Sequence, residues 1–159
     1  GSGGTSSAVR LSYLKILISE VQISPIAERF IELYNPNNSD VDLTNWYIQR
    51  KTKAGSSWSS LISSTKFKGK IIKANSYFLI ARKNSDFSGS ADIVTDYSLS
   101  KDNVIILKNP DKDIIDKLGW GSAQDYELAP AANPTTGKSL GRKWNEASGN
   151  YFDRDDNSY

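Results

Sequence analysis

Asp153, Asp155, Asp156 and Asn157 place four oxygen-bearing side chains within five residues near the C-terminal end. Oxygen donors closely spaced along a loop suit Ca²⁺, which takes about six to eight oxygens at flexible geometry. The segment lacks the central Gly and the distal Glu of an EF-hand loop, so a solvated acidic tail is the plainer reading. No cofactor is expected, calcium at this tail being the one alternative. Asp40 and Asp42 read as turn and strand-start residues and not as ligands.

Two basic segments offer a different chemistry. Arg50-Lys51-Thr52-Lys53 and Lys66-Phe67-Lys68-Gly69-Lys70 flank Trp58. Cations around an aromatic platform can hold phosphate backbones and stack bases. Lysines of this kind also keep strand edges from pairing with other chains, which is the plainer reading. Trp58, between Ser57 and Ser59, has the weakest burial pattern of the four tryptophans and is a candidate anchor for a partner. The candidate partner-binding residues are therefore Trp58, Arg50, Lys51, Lys53, Lys66, Lys68 and Lys70.

Catalysis finds little to work with. The sequence has no His and no Cys, which removes the Ser-His-Asp and Cys-His arrangements and the commonest metal ligand. Ser63, Ser64 and Lys66 supply the types for Ser-Lys catalysis, but Ser and Lys are so frequent here that their proximity carries no weight. Glu20 and Glu32 could in principle form a hydrolytic carboxylate pair, yet nothing near them in sequence shapes a sugar cleft. No catalytic residue is expected. A Lys–Asn isopeptide staple would need a Lys, an Asn and a carboxylate buried together, and intact mass would report it as one lost ammonia.

What must position these residues is a β framework. The 159 residues suffice for one domain with a real core. A hydrophobic content of 38% suits a sandwich with wet outer faces better than a layered α/β enzyme, and a net charge of +2 creates no global field for nucleic acid or anionic membranes. Apolar stretches are strand-sized, short of the ~20 residues of a membrane span. The leader Gly1 to Ser7, in a sequence without Met, reads as an expression scar or linker. The expected organisation is a linker over 1–12, one domain over 13–145 and an acidic, disordered tail over 146–159, in a piece of a longer protein.

The organising stretch is Lys15 to Arg50, with strands expected over Lys15 to Ile23, Glu28 to Tyr34 and Val41 to Arg50, the last kinked near Asn45. In the middle one Ile31 and Leu33 point one way and Phe30, Glu32 and Tyr34 the other. A polar turn follows at Lys51 to Gly55, then a weak strand at Ser56 to Ile62. A short strand or connector is expected over Phe67 to Ile72, and a buried strand over Tyr77 to Arg82. Asn84 to Ser100 reads as a long loop with one short strand. Val104 to Leu107 and Ile114 to Leu118 form a hairpin around Asn109-Pro110-Asp111-Lys112, and Lys138 to Trp144 is expected to close the sandwich. No window holds a helical period. Trp46, Trp120 and Trp144 should fill the gap between sheets, and Glu32 could pair with Arg142. The expected fold is an all-β, immunoglobulin-like sandwich of two antiparallel sheets with little or no helix.

Ile18-Ser19-Glu20-Val21, Phe30-Ile31-Glu32-Leu33-Tyr34-Asn35-Pro36 and Val41-Asp42-Leu43-Thr44-Asn45-Trp46, in that order and spacing, resemble the opening of a lamin tail domain of the prokaryotic type. The likeness continues through Ala74 to Ala81, Val104 to Leu107, Ile115-Asp116, Gly119-Trp120-Gly121 and Gly137 to Arg142. It departs at Asn109 to Asp113, where such domains carry a Gly, and at Phe152 to Asn157, which looks like the start of an acidic closing motif. The resemblance implies a non-enzymatic binding or tethering module of an exported or surface protein, bacterial or archaeal, with a protein or cell-envelope partner. Nucleic-acid binding through the basic segments is the alternative, and a structural or filament-forming subunit the second. An extracellular or surface setting is preferred to a nuclear one, since neither flank shows coiled-coil heptads.

Overall fold

The alternation in Phe30-Ile31-Glu32-Leu33-Tyr34 produces a strand whose Ile31 and Leu33 have no solvent exposure. The computed structural model describes residues 13–121 apart from 54 and 56, together with the strand backbone of 139–141, 144–145 and 150–151. In chain order the strands are β1 (Leu17–Gln22), β2 (Phe30–Tyr34), β3 (Val41–Asp42), β4 (Tyr47–Thr52), β5 (Ser59–Ile62), β6 (Ile71–Ile72) and β7 (Tyr77–Arg82). They continue as β8 (Ile93–Thr95), β9 (Asn103–Lys108), β10 (Ile114–Gly119), β11 (Ser139–Gly141), β12 (Trp144–Asn145) and β13 (Asn150–Tyr151). One sheet has the order β11-β1-β2-β7-β8 and the other β10-β9-β4-β5. Two short ladders join β3 to β6 and β12 to β13, the second spanning the boundary expected at residue 145. Among the described residues the only helical turns are 3-10 turns at Ile26–Glu28 and Ser64–Phe67. This is the expected immunoglobulin-like all-β sandwich.

The core lies between the two sheets. Ile16, Ile18, Ile31, Leu33 and Ile80 from the first meet Ile48, Ile105 and Leu107 from the second, with Trp46 and Trp120 fully buried among them. β1 needs a device to join this core along its whole length, because Ile16 and Ile18 occupy even positions while Val21 and Ile23 occupy odd ones. Ile18 pairs with Leu33 and Glu20 with Glu32, so Ser19 is an extra residue, a β-bulge that turns the second half of the strand over. Ser19 is buried and its hydroxyl donates to the Glu32 carbonyl and to Glu32 Oε1. Two buried polar side chains then stitch the loops. Asn35 Nδ2 donates to the carbonyls of Ser39, Ile72 and Lys73, while its Oδ1 accepts the Asn37 N–H. Asp116 Oδ2, on β10, accepts the Ile18 N–H of β1 at 2.7 Å, across the sandwich.

Several elements differ from expectation, each for a local reason. Val41 to Arg50 is not one kinked strand: β3 and β4 belong to different ladders, separated by a turn in which Trp46 N–H donates to the Leu43 carbonyl and Asn45 takes φ 70°. The strand expected from Glu28 starts at Phe30, because Pro25 and the following 3-10 turn occupy the preceding residues. β4 runs on through Thr52, shortening the turn expected at Lys51. Phe67 sits in a 3-10 turn, and Gly69 at φ 73° separates it from β6. Not every pairing is antiparallel: β8 runs parallel to β7, with Asp92 both donating its N–H to the Leu79 carbonyl and accepting the Leu79 N–H on Oδ2. Arg142 lies outside the described residues, and the Glu32 carboxylate is held by Ser19.

Candidate functional site

The β4–β5 hairpin sorts its side chains by face. Ile48 enters the core, while Lys51 lies on the opposite side. There its Nζ stands 5.0 Å from the ring centre of Trp58, a cation–π contact that braces a half-buried tryptophan. Arg50, opposite Ser59 in the ladder, turns away and donates from Nη1 to the Ser98 carbonyl, tying β4 to the segment after β8. Lys53 is exposed in the turn, which Gly55 closes with an N–H bond to the Thr52 carbonyl. Behind Trp58 runs β5, the terminal strand of its sheet, with Ser59 and Ser60 exposed. Among the described residues no strand pairs with its outer edge.

The second basic segment forms a separate cluster. Phe67 is fully buried and pins the 3-10 turn, so Lys66, Lys68 and Lys70 project from the segment around it. The Gly69 N–H donates to Thr44 Oγ1 at 3.0 Å, and its φ of 73° is what calls for glycine, since a Cβ there would meet nothing. The three lysines line a depression of about 280 Å³ facing Asp92, Ile93 and Val94. Three cations and one carboxylate leave a local balance of +2. Of the first basic segment the structure thus sets Lys51 against Trp58 and turns Arg50 to Ser98, while Lys66, Lys68 and Lys70 share this depression.

The remaining candidates have structural surroundings. Asp42 Oδ1 accepts the N–H and the hydroxyl of Thr44, and the hydroxyl bond foremost holds its carboxyl below the ordinary range. Asp40 Oδ1 accepts the Ala74 N–H. Glu20 and Glu32 are direct cross-strand partners, and burial raises the Glu32 pKa above 4.5, with the Ser19 bond opposing and the Glu20 charge adding. The Ser63 hydroxyl bonds that of Thr65, while Lys66 belongs to the lysine depression. No described lysine is buried, so none meets the burial that an isopeptide staple requires. Asp153, Asp155, Asp156 and Asn157 lie outside the described residues, among which no group of three metal-ligating side chains occurs. No described helix is long and apolar enough to cross a membrane.

Sequence reasoning passed over Arg29 and Arg82. Both lie at the ends of expected strands, Arg29 second in Glu28 to Tyr34 and Arg82 last in Tyr77 to Arg82; the available signal was that Arg29 stands directly ahead of the regular alternation Phe30 to Tyr34. The structure turns both toward one cavity, also lined by Asp96 and Tyr97.

The model of the Lamin Tail Domain family matches residues 11–122, which include both sheets' central strands and both basic segments. No curated protein matches the chain at a significant level.

Proposed function

Because the chain belongs to the lamin tail domain family, a non-catalytic family of immunoglobulin-like domains, we propose that it serves as a binding or tethering module of a larger exported protein, bacterial or archaeal. Its partner in this reading is a protein or cell-envelope component met outside the cell or at its surface. The observation that carries the proposal is Trp58, half-buried, braced by Lys51 and placed at the head of an edge strand whose outer side pairs with no strand among the described residues. An aromatic anchor beside an open edge suits an extended partner segment, which adds as a further strand while the ring supplies specificity.

Photo-crosslinking from position 60 in the full-length protein tests this in its own cell. The expected result is an adduct with a protein, reduced about tenfold or more by Trp58→Ala, the behaviour of an interface anchor. An adduct indifferent to Trp58→Ala, or none, overturns the proposal. A mass in solution that rises with concentration would reassign the edge to copies of this chain and a filament-forming role.

A second reading is supported by the convergence of Lys66, Lys68 and Lys70 on one depression. Three lysine–phosphate contacts predict nucleic-acid affinity falling about 40-fold between 50 and 200 mM salt, and lost on changing all three to Glu. Titrating Trp fluorescence with mixed-sequence single- and double-stranded DNA at those salt concentrations decides it. No response at low salt eliminates this reading.

A further inference from the structure

Arg29 is the one buried cation among the described residues, with 6% of its surface exposed. It sits where the 3-10 turn at Ile26–Glu28 hands the chain to β2. Its Nε donates to the Ile23 carbonyl at 2.8 Å and its Nη1 to the Tyr97 carbonyl at 3.4 Å. Both acceptors are neutral, and among the described residues no carboxylate pairs with this guanidinium. Burial lowers its pKa, and the like charge of Arg82 acts in the same direction, yet a guanidinium stays protonated. A buried cation answered only by carbonyl dipoles is costly, and a carboxylate in reach would relieve it.

The surroundings leave room for one. Arg29 and Arg82 line a cavity of about 400 Å³ with Ile26, Asp96, Tyr97 and Ser98. Arg82 Nη2 stands 3.5 Å from Asp96 Oδ1, a pair whose side chains are 31% and 74% exposed. Such a pair is weak and readily exchanged. Two guanidiniums against one carboxylate leave +1, which one further carboxylate neutralises and a phosphate dianion overshoots. Ile26, 52% exposed at the rim, offers an aliphatic surface beside the charged floor. The Ser98 carbonyl is held by Arg50, so the rim is fixed to β4.

We propose that this cavity is a receptor for a peptide carboxylate, bound between Arg29 and Arg82 with a neighbouring aliphatic side chain on Ile26, and that Asp96 is the internal group it displaces. The site stands on its own residues and takes from the protein-binding reading only the source of the carboxylate. That source is a chain terminus or an acidic side chain, which share this chemistry.

Arginine Nε–H resonances of the whole chain, followed by NMR, test the proposal with defined probes. These are acetyl-Ala-Leu with a free terminus, acetyl-Asp-Leu-amide with a side-chain carboxylate, acetyl-Ala-Leu-amide with neither, and inorganic phosphate. The Arg29 and Arg82 signals should shift saturably with the first two probes and not with the neutral amide. The tighter of the two identifies the source. Asp96→Asn removes the internal competitor and should tighten binding about two- to fivefold, while Arg82→Gln should weaken it about tenfold. Both changes are at partly or largely exposed side chains, and thermal melts verify that the fold is kept. Tighter binding of phosphate than of either peptide overturns the carboxylate assignment. An Asp96→Asn chain that answers no probe, or binds no tighter than the parent, overturns the site. Trp58→Ala should leave these titrations unchanged, so failure of the edge-strand reading is distinguishable from failure here.

Discussion

Asp116 on β10 and Arg29 ahead of β2 are both nearly buried, at 2% and 6% exposure, but they are answered differently. Asp116 accepts the Ile18 N–H at 2.7 Å, and Lys15 Nζ approaches its other oxygen at 3.6 Å, so the charge meets both a backbone donor and a cation. Because β1 and β10 belong to opposite sheets, that bond joins the halves of the sandwich. Arg29 also joins elements, through the Ile23 and Tyr97 carbonyls, but it opens on a cavity and meets no opposite charge among the described residues. A buried charge with its counter-charge belongs to the scaffold, whereas one met by dipoles beside a cavity keeps capacity for a ligand.

Removing Asp116 would break the comparison most severely. Asp116→Ala leaves the Ile18 N–H without its acceptor inside the sandwich, and the expected loss is about 3 kcal/mol, read from the urea midpoint at unchanged slope. A loss near zero would mean that the bond across the sheets holds nothing together. Asn35 sharpens the contrast by being buried, fully bonded and uncharged. Asn35→Ala strands the carbonyls of Ser39, Ile72 and Lys73 and should cost about 2 kcal/mol in the same assay. A penalty matching that of Asp116→Ala would show that charge adds nothing to the stitch.

Glu32 is intermediate, partly buried with one hydroxyl donor and a like-charged neighbour. Its folded pKa is raised, so the native state binds the proton more tightly than the unfolded chain does. The stabilisation is complete below the ordinary value of 4.5 and is lost as pH rises through the higher folded value. Glu32→Gln keeps an acceptor for Ser19, removes this slope and should raise stability at pH 7 by less than about 1 kcal/mol. Urea unfolding at a series of pH values measures it, and an unaltered slope would clear Glu32 of the effect.

Most of the framework was legible because it follows from local pattern. The alternation of β2, the apolar run of β7 and the hairpin around Asn109-Pro110 carry their structure in adjacent residues. Other features depended on what a strand meets. The Val41 to Arg50 stretch reads as one strand because its apolar residues continue past Asn45; only the positive φ there, and pairing with two different partners, divides it. The parallel course of β8 is set by Asp92 clasping Leu79, thirteen residues away. Of the interaction surface, Lys51 and Trp58 and the three lysines were visible as types, but their separation into two groups was not. Arg29 was invisible, since a single arginine before a strand says nothing of the carbonyls and the second guanidinium that the fold brings to it.

The Ile18 amide carries a consequence of its own. In an ordinary strand, hydrogen–deuterium exchange reports when the neighbouring strand lets go. This amide instead donates to a carboxylate on the opposing sheet, so its exchange reports when the two layers part. Comparing its protection with that of its neighbours along β1 gives a label-free clock for delamination, separate from fraying of either layer. Ligands that clamp the sandwich would slow that one residue selectively, which makes it a sensor for binding events anywhere that both layers must stay together.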